Sequence, residues 1–480
     1  MRKLNQLLAL LLCAGLVLAP ALAQSAAPAR QAPAKAPAAK AAPAAQKAAG
    51  PKPITIPYKE YKLKNGLRVI LSEDHSAPTY SICVTYNVGS RDERPGRTGF
   101  AHLFEHMMFQ GSENVGKGEH FILIQNYGGS MNGTTNSDRT NYFQTLPANQ
   151  LDLGLFLEAD RMRSLAITQA NLDNQRETVK EERRQGVDNQ PYGKTFETIL
   201  DTAYDNFAYK HSTIGSMDDL NAASVQDVAD FFRIYYAPNN AMLSLVGDFK
   251  PDVALAKVKQ YFEAIPSQPQ PAPPDMTEPP QKGERRKTLD DALARLPRID
   301  IAYKIPPGNT PDFHALQVLG NILGSGQSSR LYQKLVKEKE VALGAGSGAG
   351  ERRGPSLFNV SVTVRPGKDL AEVEKLAYEE IERVKNEPVA DWEIEKVRAS
   401  LRRARAQQLQ SSLFRSILLG QYAVFYGDPG LINTLEDRIK KVTKEDVQRV
   451  AKTYLNPENR TVITTVPKPA AGAPPGSALQ

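Results

Sequence analysis

Beyond residue 55 the chain alternates short apolar runs of period two with amphipathic stretches of period near 3.6, the signatures of strands and helices. Residues 67–71 follow the turn Lys64-Asn65-Gly66 and predict a strand, and 80–86 predict its partner. A helix is expected over 100–109, stopped at Gly111, and a β-rich hairpin over 131–146. Helices are expected at 151–165, 172–185 and 224–236, and a strand at 241–246.

From Pro266 to Pro280 seven prolines preclude both helix and central strand, so 266–295 reads as a linker. The pattern beyond it repeats the pattern before it. Phe100-Ala-His-Leu closing on Gly111-Ser112 returns 213 residues later as Phe313-His-Ala-Leu closing on Gly324-Ser325. Ser224, Asp227, Tyr235, Pro238 and Asn240 return 219 residues later as Thr443, Asp446, Tyr454, Pro457 and Asn459. Two blocks displaced by nearly the same distance predict an α+β fold of two homologous domains, each an antiparallel-rich sheet with helices, at 56–265 and 296–467. Gly344, Gly346, Gly348 and Gly350 point to a mobile loop or a solvated turn.

The segment before this repeat changes the picture of where the chain acts. Arg2 and Lys3 precede an apolar run from Leu7 to Leu18 and the small residues Ala21-Leu22-Ala23, the pattern of a secretory signal peptide over 1–23 and too short for a membrane span. Residues 24–55 are Ala, Pro, Gln and Lys with no acid, which reads as a disordered tether, and 468–480 as a disordered tail. An exported chain, periplasmic or secreted and without a transmembrane segment, is expected. The net charge of +7 is accounted for by Arg2, Lys3 and five tether cations, so 56–480 is near neutral and nothing argues for nucleic acid. Cys13 falls in the leader, so Cys83 has no intramolecular disulfide partner and stability must come from burial.

Within the predicted helix at 100–109, His102 and His106 stand at i and i+4 with Glu105 beside them. Two neutral imidazoles and a carboxylate suit Zn²⁺ with an open fourth position for a water, and Glu105 is expected to be the general base. His-x-x-Glu-His is the inverted order of a zinc peptidase signature. The duplication supports a chemical role. In the second copy the aligned residues are Ala315, Val318 and Leu319, so the fold itself does not demand histidine there. His314 falls on no ligand position, and His75, His120 and His211 read as loop or surface residues. For the third ligand, periodicity leaves Glu177, Glu181 and Glu182 open.

His102-Leu-Phe-Glu105-His106 and Gln175-Arg-Glu-Thr-Val-Lys-Glu-Glu182-Arg183, with Tyr236-Ala-Pro-Asn-Asn and Val246-Gly-Asp-Phe, resemble the pitrilysin family of zinc peptidases, in particular short bacterial members similar to the mitochondrial processing peptidase. The resemblance runs along 56–466. It implies a clam-like shell around peptide, one Zn²⁺ per chain, and a third ligand 76 residues beyond the second His, which falls on Glu182. It gives Asn132, Gly133 and Thr135 to a strand that pairs with extended substrate, with Gly133 standing where relatives carry Ala and loosening the strand. It assigns a supporting Glu to the position held here by Gln175, with Glu177 nearby. Relatives that complete the site from their second domain carry Arg and Tyr where this chain has Val336 and Leu343. The resemblance therefore implies an endopeptidase for short or unfolded peptides, working with a homologous partner that supplies Arg and Tyr, a homodimer being the other arrangement. A non-catalytic assembly or peptide-binding subunit of the same fold is the alternative.

Overall fold

The structure is a computed structural model that describes residues 54–468; the expected leader, the tether up to residue 53 and the tail beyond 468 lie outside the described residues. Among the described residues eleven strands form two sheets. The first contains β1 (Lys59–Lys62), β2 (Arg68–Glu73), β3 (Thr79–Tyr86), β4 (Ser130–Thr135), β5 (Thr140–Pro147) and β6 (Ala241–Gly247), in the order β1-β2-β6-β3-β5-β4. The second contains β7 (Arg285–Asp291), β8 (Arg298–Ile305), β9 (Ala342–Ala349), β10 (Ser356–Val364) and β11 (Arg460–Pro467), in the order β7-β11-β8-β10-β9. Only β2/β6 and β7/β11 run parallel. Apart from β1 the second sheet repeats the first, pairing for pairing, and the fold is the expected duplicated α+β type.

Two expectations are corrected by the second sheet. Residues 285–291, expected inside the linker, form β7: the last proline of the run is Pro280, and beyond it the backbone is free to bond β11. The glycines at 344, 346 and 348, expected in a loop or turn, lie in β9. The helix Pro311–Gly324 lies so close to β9 that a Cβ at Gly324 would stand 1.9 Å from the Ser347 nitrogen, and one at Gly320 would stand 2.9 Å from the Gly348 Cα. This close approach is made by the glycines of the facing helix and not by those of β9, where a Cβ at Gly344 or Gly348 would meet nothing within 4 Å.

The two halves exchange helices. On β3, Tyr80, Ile82, Val84 and Tyr86 face their own core, where Leu103, Phe104, Leu155, Leu243 and Leu245 join them. The alternate residues meet the helix Ser412–Tyr426 from the other half: Ser81 Oγ lies 2.9 Å from Ser412 Oγ, and Leu418, Leu419 and Tyr422 pack on Ile70, Met242 and Val246. Reciprocally, Ile199 and Leu200 of the helix Thr195–Ala203 pack on Ala302, Leu357 and Ile463 of the second sheet. Each aliphatic side chain so buried contributes roughly 1.5–3 kcal/mol. Both sheets are thereby covered on two faces, which leaves the β4 end of the first sheet as an unpaired edge beside the helix that bears the histidines.

Candidate metal centre

That helix, α1 (Phe100–Met107), begins at Gly99, where two observations require glycine: φ is +87°, and a Cβ would stand 2.6 Å from the Ile214 carbonyl oxygen. Its first amides are capped from outside the helix. Glu93, its side chain fully buried, accepts from the Gly99 amide at 2.9 Å and the Ala101 amide at 2.8 Å. Phe100, Leu103, Phe104 and Met107 are buried, and the Phe104 ring lies 4.2 Å from that of Tyr236 and 5.5 Å from that of Phe231. With that face committed to the core, His102, Glu105 and His106 are presented together on the other.

A second helix, α2 (Gln169–Arg183), brings the carboxylate. Thr168 caps it, Leu172 and Val179 anchor it, and Arg183 ties its end to Glu197 at 2.7 Å and to the Gly215 carbonyl at 2.6 Å. Gly215 abuts the Thr98–Gly99 backbone, so Arg183 fixes α2 against the start of α1. Glu182 Oε2 then lies 3.7 Å from His102 Nε2 and 3.4 Å from His106 Nε2. Among the described residues these three side chains are the one His/Cys/Asp/Glu group whose donor atoms all lie within 4.8 Å of one another.

The residues present fit a metal ion. Donors held about 2.0–2.1 Å from a tetrahedral ion stand roughly 3.3 Å apart, close to the separations seen. Glu182 Oε2 and His102 Nδ1 are buried without a hydrogen-bond partner, and such an oxygen between two imidazole nitrogens calls for a cation. Burial, with His106 adding to it, pushes His102 down to about 4, which keeps it in the neutral form that ligates. Burial also works against charge on His106, but the facing Glu182 carboxylate outweighs it and raises the imidazole pKa. Burial would raise Glu182, yet His106 and His102 hold it below the usual carboxylate range.

Glu105 differs from Glu182. Its carboxyl is raised by burial, opposed by a hydrogen bond from Thr135 Oγ1 at 2.6 Å. A Cβ at Gly133 would stand 3.0 Å from Glu105 Cγ, so glycine there leaves room for the acid against β4. Asn132 is exposed, and its Oδ1 accepts from the Gly133 amide at 2.9 Å.

Of the supporting residues named from sequence, Gln175 is buried beside His106, where its hydrogen bonding helps raise the imidazole pKa. Glu177 is a correction: it points to solvent and pairs with Lys180 at 2.8 Å, because five residues of helix turn it away from Glu182. Glu181 is likewise exposed and bonds Arg184 and Gln185. His75 is exposed between Glu73 and Asp248. His120 is a second correction, since it is buried in the helix Glu119–Asn126 and bonds Gln144 at 3.2 Å. Val336 packs at the second core and Leu343 is half exposed, and neither carries a polar side chain. Glu93 and Arg183 were missed by sequence reading; among so many charged residues their spacing carried no signal, and only the fold aims them at α1.

Comparison with known proteins identifies the family. Residues 68–217 match "Insulinase (Peptidase family M16)" and residues 222–401 match "Peptidase M16 inactive domain", so the inactive-domain match takes in Ala315, Val318 and Leu319, aligned with the metal-site residues. The zinc protease PqqE of Helicobacter pylori is 30% identical over 413 residues, covering 85% of this chain and 93% of that one. A probable mitochondrial-processing peptidase subunit beta of Arabidopsis thaliana is 24% identical, covering 85% of this chain and 80% of that one. The crystal structure of a protease from Helicobacter pylori superposes with a TM-score of 0.82 at 29% identity, covering 86% of this chain and all of that one. The chain belongs to peptidase family M16.

Proposed function

We propose that this protein is an exported zinc metalloendopeptidase that hydrolyses short or unfolded peptides. The observation that carries the reading is the convergence of His102 Nε2, His106 Nε2 and the partnerless Glu182 Oε2 beside the free edge of β4. His102, His106 and Glu182 would hold one Zn²⁺, which supplies Lewis acidity toward a peptide carbonyl and toward water. Glu105 takes the proton from the attacking water and returns it to the leaving amine; burial raises its pKa toward the range that such a shuttle needs. Asn132, Gly133 and Thr135 offer the β4 backbone to an extended substrate as an added strand, and because the Thr135 hydroxyl is bonded to Glu105 its substrate contact is through the backbone.

Since Val336 and Leu343 cannot donate a hydrogen bond to a developing oxyanion, a homologous partner subunit supplies Arg and Tyr to the complete enzyme. Gln175 supports His106. Among the described residues no helix is long and apolar enough to cross a membrane, and the leader pattern at 1–23 supports export to the periplasm or beyond. Cleavage of an unstructured fluorogenic peptide by the zinc-loaded chain, alone and with a homologous subunit, tests the reading. Hydrolysis that rises with the partner and vanishes in Glu105→Gln, with zinc and peptide still bound, is expected. Peptide binding without hydrolysis in every combination would overturn it in favour of a non-catalytic subunit, and full activity of the lone chain would remove the partner.

A further inference from the structure

The turn of the β4–β5 hairpin is a stiff unit joined to the general base. Asn136 Oδ1 accepts from the Asp138 and Arg139 amides at 2.8 and 2.9 Å, and Arg139 Nη1 donates back to the Thr134 carbonyl at 2.7 Å. The next residue on β4, Thr135, holds Glu105. A displacement of this turn therefore reaches the Glu105 carboxylate through one strand and one hydrogen bond.

The turn is tied to the other half of the molecule, directly through the Arg353 amide and indirectly through Tyr209 of its own half. Asp138, 2% exposed, accepts from Tyr209 Oη at 2.7 Å, from Arg91 Nη1 at 3.2 Å and from the backbone amide of Arg353 at 3.1 Å. Tyr209 Oη in turn accepts from the Gly354 amide at 2.9 Å, and a Cβ at Gly354 would stand 2.6 Å from the tyrosine ring. Arg353 and Gly354 lie between β9 and β10, the hairpin that corresponds to β4–β5 in the duplicated half. Arg91 lies two residues before Glu93, which caps α1, and that segment is itself bonded to the turn through the Ser90 and Arg91 amides. One buried cluster thus touches both elements that carry the chemistry.

We infer that Asp138 and Tyr209 are positioning residues through which the β9–β10 turn of the metal-free half holds β4, and with it Glu105, in register with α1. The inference rests on the peptidase reading for its catalytic consequence, but its mechanical part does not. A purely structural ion pair between Asp138 and Arg91 would stabilise the fold without selectively affecting β4 or turnover.

Tyr209→Phe removes the bridging hydroxyl and keeps the ring. In the zinc-loaded full chain with its partner, hydrogen exchange at the β4 amides bonded to β5 should speed by about tenfold while β3 keeps its protection. On an unstructured peptide, kcat should fall roughly ten- to a hundredfold with KM within about twofold, the pattern of a misplaced catalytic group. Wild-type exchange at β4, an unchanged kcat, or an effect confined to KM would each overturn the inference. Should Tyr209→Phe fail to fold, Asp138→Asn, which has one acceptor oxygen where Tyr209 and the Arg353 amide each use their own and so loses one of the two bonds, is read in the same way. Faster β4 exchange in a protein whose wild type shows no Glu105-dependent hydrolysis would leave the clamp standing and overturn the peptidase reading instead.

Discussion

Two carboxylates little separated in space have opposite environments, and in the proposed mechanism that difference divides their work. Glu182 faces two imidazoles that hold its pKa down, while burial raises Glu105 against the Thr135 hydroxyl and the weaker pull of His106 and Arg139. Thr135→Val keeps the shape of the side chain and removes that hydroxyl. The variant should bind zinc as the wild type does and lose about ten- to a hundredfold in kcat/KM, the value of a hydrogen bond to a charged group; metal analysis beside steady-state kinetics checks it. At this scale the sequence was partly legible. The i, i+4 spacing of His102 and His106, with Glu105 on the same face, follows from helix geometry alone. The choice among Glu177, Glu181 and Glu182 does not, because it depends on how α2 lies against α1, and that is set by Arg183 reaching Glu197 and Gly215.

Elements were most legible where a local rule decides them. The Ser224/Asp227 and Thr443/Asp446 pairs are capping boxes on equivalent helices, and Asn240 and Asn459 each donate to the carbonyl of the tyrosine five residues earlier at 2.8 Å. The repeat seen in sequence is therefore a repeat of hydrogen bonds. It was least legible where backbone meets backbone, as at β9, which Gly320 and Gly324 let a helix approach so closely that a side chain at either would collide with the strand. The same close approach makes a prediction at Gly89, where a Cβ would stand 2.4 Å from the Asn136 carbonyl oxygen and 2.5 Å from that of Ser137. Gly89→Ala should cost about 1–3 kcal/mol in urea unfolding, because neither backbone can move aside cheaply. Glu93→Ala should be harsher in function: it leaves the Gly99 and Ala101 amides buried without an acceptor, at about 1–3 kcal/mol each, and should weaken zinc binding by loosening the start of α1, read by calorimetric titration of the apoprotein.

Across the whole molecule, the exchange of helices between halves is invisible to any local pattern, since Ser81 and Thr85 alternate with apolar residues on β3 as on a strand with one solvated face, yet both are buried. Its polar part is testable by pH. Asp74, beside β2, bonds Arg415 on the helix donated by the other half. Burial alone would raise the Asp74 carboxyl, but the Ser76 backbone amide and the Arg415 guanidinium outweigh it and hold the pKa below the ordinary value. A lowered folded-state pKa means stability that is present above about 3.9, the unfolded value, and lost as pH falls through the folded one. Asp74→Asn should therefore be less stable than the wild type by about 1–3 kcal/mol at pH 7, with the gap closing below about pH 4. Urea unfolding at the two pH values checks both halves of that statement.

The proposed chemistry of the whole molecule turns on one ion between two helices, and metal content after exhaustive dialysis against zinc-free buffer measures it most directly. One zinc per chain is expected in the wild type and in Glu181→Ala, and less than a tenth of that in Glu182→Ala, in which His102 and His106 remain. Wild-type zinc in Glu182→Ala, or no retained zinc in the wild type, would contradict it.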